Sequence, residues 1–418
     1  MLTAWVPLCQ PTDPGTRAGT THRGDCPWCA ASRRWNDGPV AAGRRALLPL
    51  VLATMASQAL LVVLSPTLVA VAGELGASVG TVGQARSVTA AASVLTSVAL
   101  MSRADARGVR ATVSLGAVLA VLACGAVAAA HSTAVFLAAH VLVGVALALL
   151  LSAGFGGMAV FERRSWAAGY LAAANSAAWV LVSPVVGYLT STVSWRLAMA
   201  APAVVALAAL VASPAIVAPA RRAAPARLTA AVRDRSARRW AGAELAAYTG
   251  WTALLTFSGA FFVERLGTSE AQVGWLLAGA AATHFVASSR AGVLGRRLAP
   301  RRLAVLGALW MAAVTPVMLG TRAAVPWAFA WFCVACLGAG VRTPASAALG
   351  IEQLPGHPAT MMAARTAVTQ SGYLLGAVGA GAVVSGPGYG ALGWALAGVM
   401  VLAAALTAGV RDHRTAAA

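Results

Sequence analysis

Charge is missing from most of this chain, and the gaps are long. Only 10% of the 418 residues are charged, against about 25% in an ordinary water-soluble domain. The charges fall between stretches of roughly twenty or more mostly apolar residues, which is what a helix needs to cross a hydrocarbon layer about 30 Å thick. In that layer every backbone polar group must find its partner within the protein, which leaves only helices and closed barrels. Barrel strands run about 9–11 residues and alternate in polarity; these stretches do neither. Twelve can be marked, at roughly 46–72, 81–101, 111–130, 134–157, 166–191, 197–218, 241–263, 272–294, 303–320, 325–350, 361–384 and 389–410. The expected fold class is therefore an all-α membrane protein with twelve transmembrane helices, numbered spans 1–12 in chain order. The 42 Gly suit close helix–helix approach in lipid.

The net charge of +19 comes from 31 basic residues, all Arg. In a soluble chain such an excess would point to nucleic acid. Here the basic loops are short and separated by apolar spans, and nucleic acid is excluded as a partner. With the N-terminus placed inside, only Arg196, Arg265 and Arg322 fall in outer loops, while Arg86, Arg342 and, near inner ends, Arg290 and Arg365 fall within spans. That is the positive-inside pattern of an even number of spans with both termini cytoplasmic. The expected location is the cell's inner (plasma) membrane, with the lipid bilayer as partner and a monomer as the working unit. Arg86, near the outer end of span 2, is expected to snorkel toward the interface.

Residues 1–45 form a polar leader with no cleavable signal pattern and are expected to be disordered. A first bundle at 46–218, a basic linker at 219–240, a second bundle at 241–410 and a tail at 411–418 complete the expected division. Part of the linker, Leu228–Arg239, reads as a surface helix or a solvated tether. Cys124, Cys333 and Cys336 lie in spans, and Cys9, Cys26 and Cys29 in the leader, so no disulfide framework is expected. His22 with Cys26 and Cys29 lacks a second ligand pair, so no metal is assigned. Without Lys there is no phosphate-binding Gly-Lys-Ser/Thr motif for an ATP-driven pump. No cofactor and no enzymatic activity are expected.

The chain also repeats itself. Leu-Gly-Ala-Ser-Val-Gly-Thr-Val-Gly at Leu75–Gly83 returns as Leu-Gly-Thr-Ser-Glu-Ala-Gln-Val-Gly at Leu266–Gly274, five of nine positions being identical at an offset of 191. Each copy is followed by an apolar run that ends in an Arg-rich loop. At an offset of 195, Asn175-Ser176 meets Gln370-Ser371. Two copies of one membrane-embedded unit are the usual plan of a secondary transporter, with its substrate site where they meet.

The loops after spans 2 and 8 carry a resemblance. Residues 101–110 read Met101-Ser-Arg-Ala-Asp105-Ala-Arg-Gly108-Val-Arg110, and residues 292–301 read Gly292-Val-Leu-Gly-Arg296-Arg297-Leu-Ala-Pro-Arg301. Both resemble, in degenerate form, the Gly-x-x-x-Asp-Arg-x-Gly-Arg-Arg loop of the major facilitator superfamily. Span 4 has His140 and Gly144 where many proton-coupled relatives have Arg-x-x-x-Gly. Span 5 has Ser183-Pro184-Val-Val-Gly187-Tyr188 where efflux-type relatives have Gly-Pro-x-x-Gly-Gly. The look is of bacterial drug-efflux and sugar-efflux-like permeases over about 46–410. The resemblance implies two six-helix bundles around a central cavity. It implies a conformational switch at Asp105, Gly108, Arg110, Gly292 and Arg297, and a span 5 motif at Pro184 and Gly187.

Polar side chains inside spans are costly, so they tend to face a cavity or a partner. Gln58, Asn175, His284 and Gln370 fall near mid-depth. Trp179 and Tyr373 sit about one turn beyond Asn175 and Gln370, on the same faces. These amides with aromatic neighbours suit a small amphipathic organic molecule, and equally suit hydrogen bonds that hold the bundle together. Arg342, at a cost of about 2.5–3.5 kcal/mol at a helix centre, is a counter-charge for a polar or anionic solute, a gate, or a snorkelling side chain. No carboxylate is expected at mid-depth; the deepest is Glu244, in the first turn of span 7. If protons are the coupling ion, the candidates are His140, His284 and Glu244.

The leading expectation is alternating-access, ion-gradient-driven efflux of a small amphipathic compound. The rivals are uptake or facilitated movement of a small anionic or polar solute against Arg342, and a non-transporting membrane sensor or assembly factor of the same fold.

Overall fold

The computed structural model describes residues 39–101, 104–157, 164–216, 234–295, 297–321, 324–353 and 358–412. The leader before residue 39 and most of the linker lie outside the described residues. Contacts divide the chain into Met1–Arg44, of which only the start of a helix is described, and Arg45–Ala418. Apart from that helix start, all the spans belong to the second unit.

All twelve expected spans are present as helices. Span 1 is Pro39–Val62 plus Leu64–Glu74, span 2 Val79–Met101, span 3 Ala104–Ala128 and span 4 Thr133–Gly156. Span 5 is Arg164–Thr192, and span 6 is Trp195–Ala200 plus Pro202–Ala212. Span 7 is Arg235–Leu266, span 8 Glu270–Leu294, span 9 Pro300–Gly320, span 10 Val325–Glu352, span 11 Pro358–Ser385 and span 12 Tyr389–Ala408. Among the described residues nine helices are apolar and long enough to cross a membrane on composition alone. Spans 2, 7 and 8 fall short because they carry polar residues such as Arg86, Glu244 and His284. Large apolar side chains such as Val211 (79% exposed) and Trp394 (73%) point outward, a surface suited to lipid tails and not to water.

Two spans are broken for a backbone reason. Pro66 lacks an N–H, so the carbonyl of Val62 loses its helical donor, and span 1 is interrupted at Val63. Arg86 of span 2 supports the weakened stretch, its Nη2 donating to the carbonyl of Leu61 at 2.6 Å. Span 6 restarts with Pro202 in its first turn, where a missing N–H costs nothing. Span 7 begins six residues before the expected end of the linker. Asp234 caps it, accepting from the amide of Ala237 at 2.8 Å, and Trp240, read as linker, is buried with its indole N–H on the carbonyl of Ser346.

Each position the nine-residue repeat keeps has a structural role. Leu75 and Leu266 pack against the core at the ends of spans 1 and 7. Gly76 and Gly267 have φ of 62° and 67°, the left-handed conformation that ends a helix without a Cβ penalty. Ser78 and Ser269 cap the next helix, accepting from the amides of Thr81 at 3.1 Å and Gln272 at 3.3 Å. Gln272 returns the bond to the amide of Ser269 at 3.0 Å, completing a capping box. Val82 and Val273 are fully buried. Gly83 and Gly274 lie where a helix of the opposite half crosses: an added Cβ would come 2.5 Å from the Phe257 ring and 2.4 Å from the carbonyl oxygen of Ser183.

Each odd span turns into the next even span at one end, the hairpin end; the opposite end, where span 6 finishes and spans 7 and 11 begin, is called the terminal end. The halves meet through spans 2 and 11, 5 and 8, 1 and 7, 1 and 8, and 2 and 7, with span 1 contributing its Leu64–Glu74 segment. At the hairpin end the approach is at backbone distance. A Cβ on Gly80 would lie 2.5 Å from the carbonyl oxygen of Gly381, one on Gly187 2.3 Å from that of Glu270, and one on Gly259 2.2 Å from that of Ser65. The amide of Gly259 also donates to Ser65 Oγ at 3.2 Å, and Gln84 Nε2 donates to the carbonyl of Ala377 at 3.3 Å. Among the described residues, spans 4 and 10 make no comparable contact across the halves. The junction is thus sealed at the hairpin end, and the described residues do not match that packing at the terminal end.

Candidate functional site

Below this seal the second half holds a buried ion cluster. Glu244 in span 7 is fully buried. One carboxylate oxygen accepts from Arg342 Nη2 of span 10 and, at 2.7 Å, from Ser346 Oγ. The other accepts from Arg365 Nε of span 11 at 2.8 Å. Arg365 also donates through Nη2 to the Tyr248 hydroxyl at 2.8 Å. Both guanidinium carbons lie within 6 Å of the Tyr248 ring centre, at 5.8 Å for Arg342 and 5.4 Å for Arg365, a range in which the ring face attracts cations. Tyr248 sits one turn after Glu244, on the same face of span 7. Tyr373 of span 11 packs on it with ring centres 5.7 Å apart. A polar track therefore runs from Glu244 through Arg365 and Tyr248 to Tyr373.

Close helix packing makes the track possible. Gly372 and Gly376 of span 11 rest on the backbone of span 7, an added Cβ falling 2.9 Å from the carbonyl oxygen of Leu245 and 2.2 Å from that of Thr249. Gly307 of span 9 does the same for span 10, its Cβ position being 2.8 Å from Arg342 Cβ.

Three sequence expectations change here. Glu244 is not in the first turn of its helix: span 7 starts at Arg235, so the carboxylate lies well inside. Arg365, expected about one turn into span 11, lies about two turns in, because that helix begins at Pro358, ahead of its apolar run. Arg86, expected to snorkel, is 4% exposed, with its Nε buried and unpartnered. Arg342 is buried too, and its surroundings are Glu244 and a cavity of about 10 Å³ bordered by Tyr248, Trp251 and Thr343. That is room for about one water, so Arg342 on its own is not presented to a solute-sized space.

The remaining candidates divide by half. Gln58 is buried and accepts from the Trp179 indole N–H at 3.4 Å, joining spans 1 and 5. Asn175 is half-buried, one turn earlier on span 5. Gln370 is 3% exposed, and its Oε1 has no partner among the described residues. A buried polar atom of this kind awaits water or a ligand. His284 stacks on Trp251, ring centres 5.6 Å apart and 24° from parallel. His140 is buried, its Nδ1 2.8 Å from the carbonyl of Phe136 in its own helix, while Gly144 lets span 4 close on span 2, its Cβ position being 2.3 Å from the carbonyl oxygen of Thr89. Pro184 and Gly187 lie at the crossing with span 8: a Cβ on Gly274 would come 2.9 Å from Pro184 Cα.

Of the expected switch, Gly108 has φ 75° and ψ 154° at the start of span 3, and Thr112 Oγ1 donates to its carbonyl at 3.0 Å. Arg110 and Arg297 are exposed, and Gly292 lies in the last turn of span 8. The side chain of Asp105 lies outside the described residues, as do Cys9, His22, Cys26 and Cys29. Among the described residues no group of His, Cys, Asp and Glu is placed to hold a metal.

Known proteins agree with this architecture. Two solved structures share the fold. A D-xylose–proton symporter is 17% identical with a TM-score of 0.73, the match covering 88% of this chain and 98% of that one. A peptide transporter POT, solved as a mutant in complex with sulfate, is 13% identical with a TM-score of 0.71, covering 86% and 94%. Among curated proteins none matches this sequence. The family model described as Major Facilitator Superfamily matches twice, at residues 50–241 and 240–417, one match to each half of the duplication. With both halves matched, the chain belongs to the Major Facilitator Superfamily.

Proposed function

We propose that this secondary transporter carries a small organic anion by alternating access, through the junction beneath the glycine seal. The observation behind this reading is charge balance. Three buried or half-buried guanidiniums, Arg86, Arg342 and Arg365, stand against one carboxylate, Glu244. Buried charge without a counter-charge is costly, and an incoming carboxylate or phosphate would supply it. Arg86 and Arg365 are the counter-charges, Gln370 and Tyr373 orient the solute, and Arg342 is held by Glu244. Glu244 can take up a proton only by loosening its hold on a guanidinium, which makes it the coupling candidate.

The positive-inside pattern puts the terminal end in the cytoplasm. Sealed at the hairpin end, this conformation then corresponds to the inward-facing state, and the cycle rocks one half against the other. A second reading, efflux of an amphipathic compound, draws on two pairs of polar and aromatic side chains, Gln58 with Trp179 and His284 with Trp251.

Counterflow into proteoliposomes tests the choice. A panel of labelled carboxylates, phosphorylated sugars, neutral sugars and organic cations is offered, with and without a pH gradient. The anion reading expects accumulation of an anion that falls at least about tenfold in kcat/KM in Arg86→Gln and Arg365→Gln. Equal uptake of a neutral sugar or a cation, indifferent to both variants, overturns it in favour of the second reading.

A further inference from the structure

The seal itself borders a second space, on the hairpin side. A cavity of about 390 Å³ lies between the halves, lined by Gly73, Ser78 and Gly80 of the first and by Glu264, Val384 and Ser385 of the second. Its volume falls within the range of about 300–1,000 Å³ typical of small-molecule sites. Among the described residues, Glu264 is the only charged side chain in its lining. The Tyr389 hydroxyl donates to Glu264 Oε2 at 2.6 Å, which fixes the carboxylate and leaves its other oxygen available.

The first half shows what that available position takes. At the matching end of span 1, Glu74 is held by an aromatic donor in the same way, Trp195 Nε1 at 2.5 Å. There a cation completes the arrangement, Arg196 Nη2 lying 2.6 Å from the other oxygen with its guanidinium over the Trp195 ring at 4.4 Å. In the second half a carboxylate held by an aromatic donor recurs at the same end, although at the repeat offset Arg265 and not Glu264 falls opposite Glu74, and the described residues give Glu264 no ion-pair partner. Arg265 lies 5.9 Å from the Tyr389 ring centre and is not part of the cavity lining. The carbonyl end of the Leu64–Glu74 helix adds partial negative charge beside Gly73. The hydroxyls of Ser78 and Ser385, 3.4 Å apart, add acceptors, and Val69, Val79 and Val384 give apolar walls.

We propose that this cavity binds a small organic ammonium ion, its charge on Glu264 and its apolar body against the valine walls. Because both halves line the cavity, a bound cation holds the hairpin end closed and slows the transport cycle from outside the solute path.

The test titrates benzyltrimethylammonium into the full chain in lipid nanodiscs by calorimetry, beside its neutral isostere neopentylbenzene. The cation is expected to bind, and Glu264→Gln to weaken it about tenfold while leaving any binding of the isostere unchanged. Gly73→Phe is expected to abolish binding, because the Cβ position of Gly73 meets open space and a ring there fills the cavity without a backbone clash. Thermal melting of each variant separates lost binding from lost folding. Absence of cation binding to the native chain, or equal affinity in a folded Glu264→Gln protein, overturns the proposal. So does binding that is lost in Trp251→Ala and kept in Glu264→Gln, which puts the cation in the solute path. That outcome would leave the site proposed for the transported anion to be judged by flux alone.

Discussion

Replacing Glu244 by Gln removes the one carboxylate between two guanidiniums while nearly keeping its shape. The Arg365 contact is 2.8 Å; at that distance Coulomb's law with an effective dielectric of about 20 gives about 6 kcal/mol. Little of it is screened, since the three side chains are 0%, 4% and 19% exposed. The net effect is smaller than the Coulomb figure, because the pair gave up hydration to form. Breaking a buried pair from one side costs about 3–5 kcal/mol. We expect about 4 kcal/mol here, a value inside that range, because Arg342 has no route to water while Arg365 is partly open to the junction. The assay is reversible unfolding in mixed micelles, followed by the fluorescence of the 13 Trp. Glu244→Gln combined with Arg342→Met should recover part of the loss, with a coupling energy of about 1–3 kcal/mol in the double-mutant cycle. A single variant within about 1 kcal/mol of the native protein would refute the reasoning. It would mean that both guanidiniums reach solvent or lipid headgroups without Glu244.

Gly259→Ala and Gly187→Ala place a methyl group 2.2 Å from the Ser65 carbonyl oxygen and 2.3 Å from that of Glu270. Spin labels on either half at the hairpin end should move apart by at least about 1 Å, the shift needed to restore ordinary contact distance; unchanged distances would count against backbone contact as the seal. Ser78→Ala and Ser269→Ala should each cost about 0.5–2 kcal/mol as lost caps, and their effects should add, since the two sites lie in different turns. Asp234 has its pKa held below the ordinary carboxylate value, first by the amide of Ala237 and then by Arg411. Its contribution is therefore complete above the ordinary value of about 4 and is lost as pH falls through the lower folded value. Asp234→Asn should flatten that acid limb of the unfolding midpoint, and an unchanged limb would assign the acid sensitivity to another group.

Much of the architecture was legible because membrane physics acts on one dimension. A run of apolar residues declares a span, and caps and glycines declare its ends, so the repeat at Leu75–Gly83 and Leu266–Gly274 could be found before its positions had a role. The site was less legible. The cost of burying Arg342 announced that a partner must exist, but Glu244 lies 98 residues away in sequence, and only the packing of spans 7, 9, 10 and 11 decides that they meet. Arg365 lies deeper in span 11 than expected, for a different reason. Hydropathy marks where a helix is apolar, whereas Pro358 and a continuous backbone ladder mark where it is helical. The span 5 residues Pro184 and Gly187 were visible as half a motif; their contact with Gly274 and Glu270 needed the opposite half of the molecule.

The duplication now divides into what was kept and what was not. Helix caps, left-handed glycines and backbone-distance crossings recur in both halves: span 2 against span 11 through Gly80 and Gly381, span 8 against span 5 through Gly274 and Gly187. Such contacts are backbone to backbone and carry no net charge, so they can part and re-form without stranding an ion. The buried carboxylate, by contrast, sits on one side among the described residues. At the repeat offset Glu244 corresponds to Ala53, which is fully buried among apolar neighbours. A carboxylate–guanidinium cluster at every crossing would resist the rocking that alternating access requires, since opening it would expose unpaired ions to lipid. Confining the cluster to the second half lets the proposed solute or proton supply the missing charge at one point in the cycle. The symmetric parts of the chain then make the motion possible, and the asymmetric parts make it conditional on what is bound.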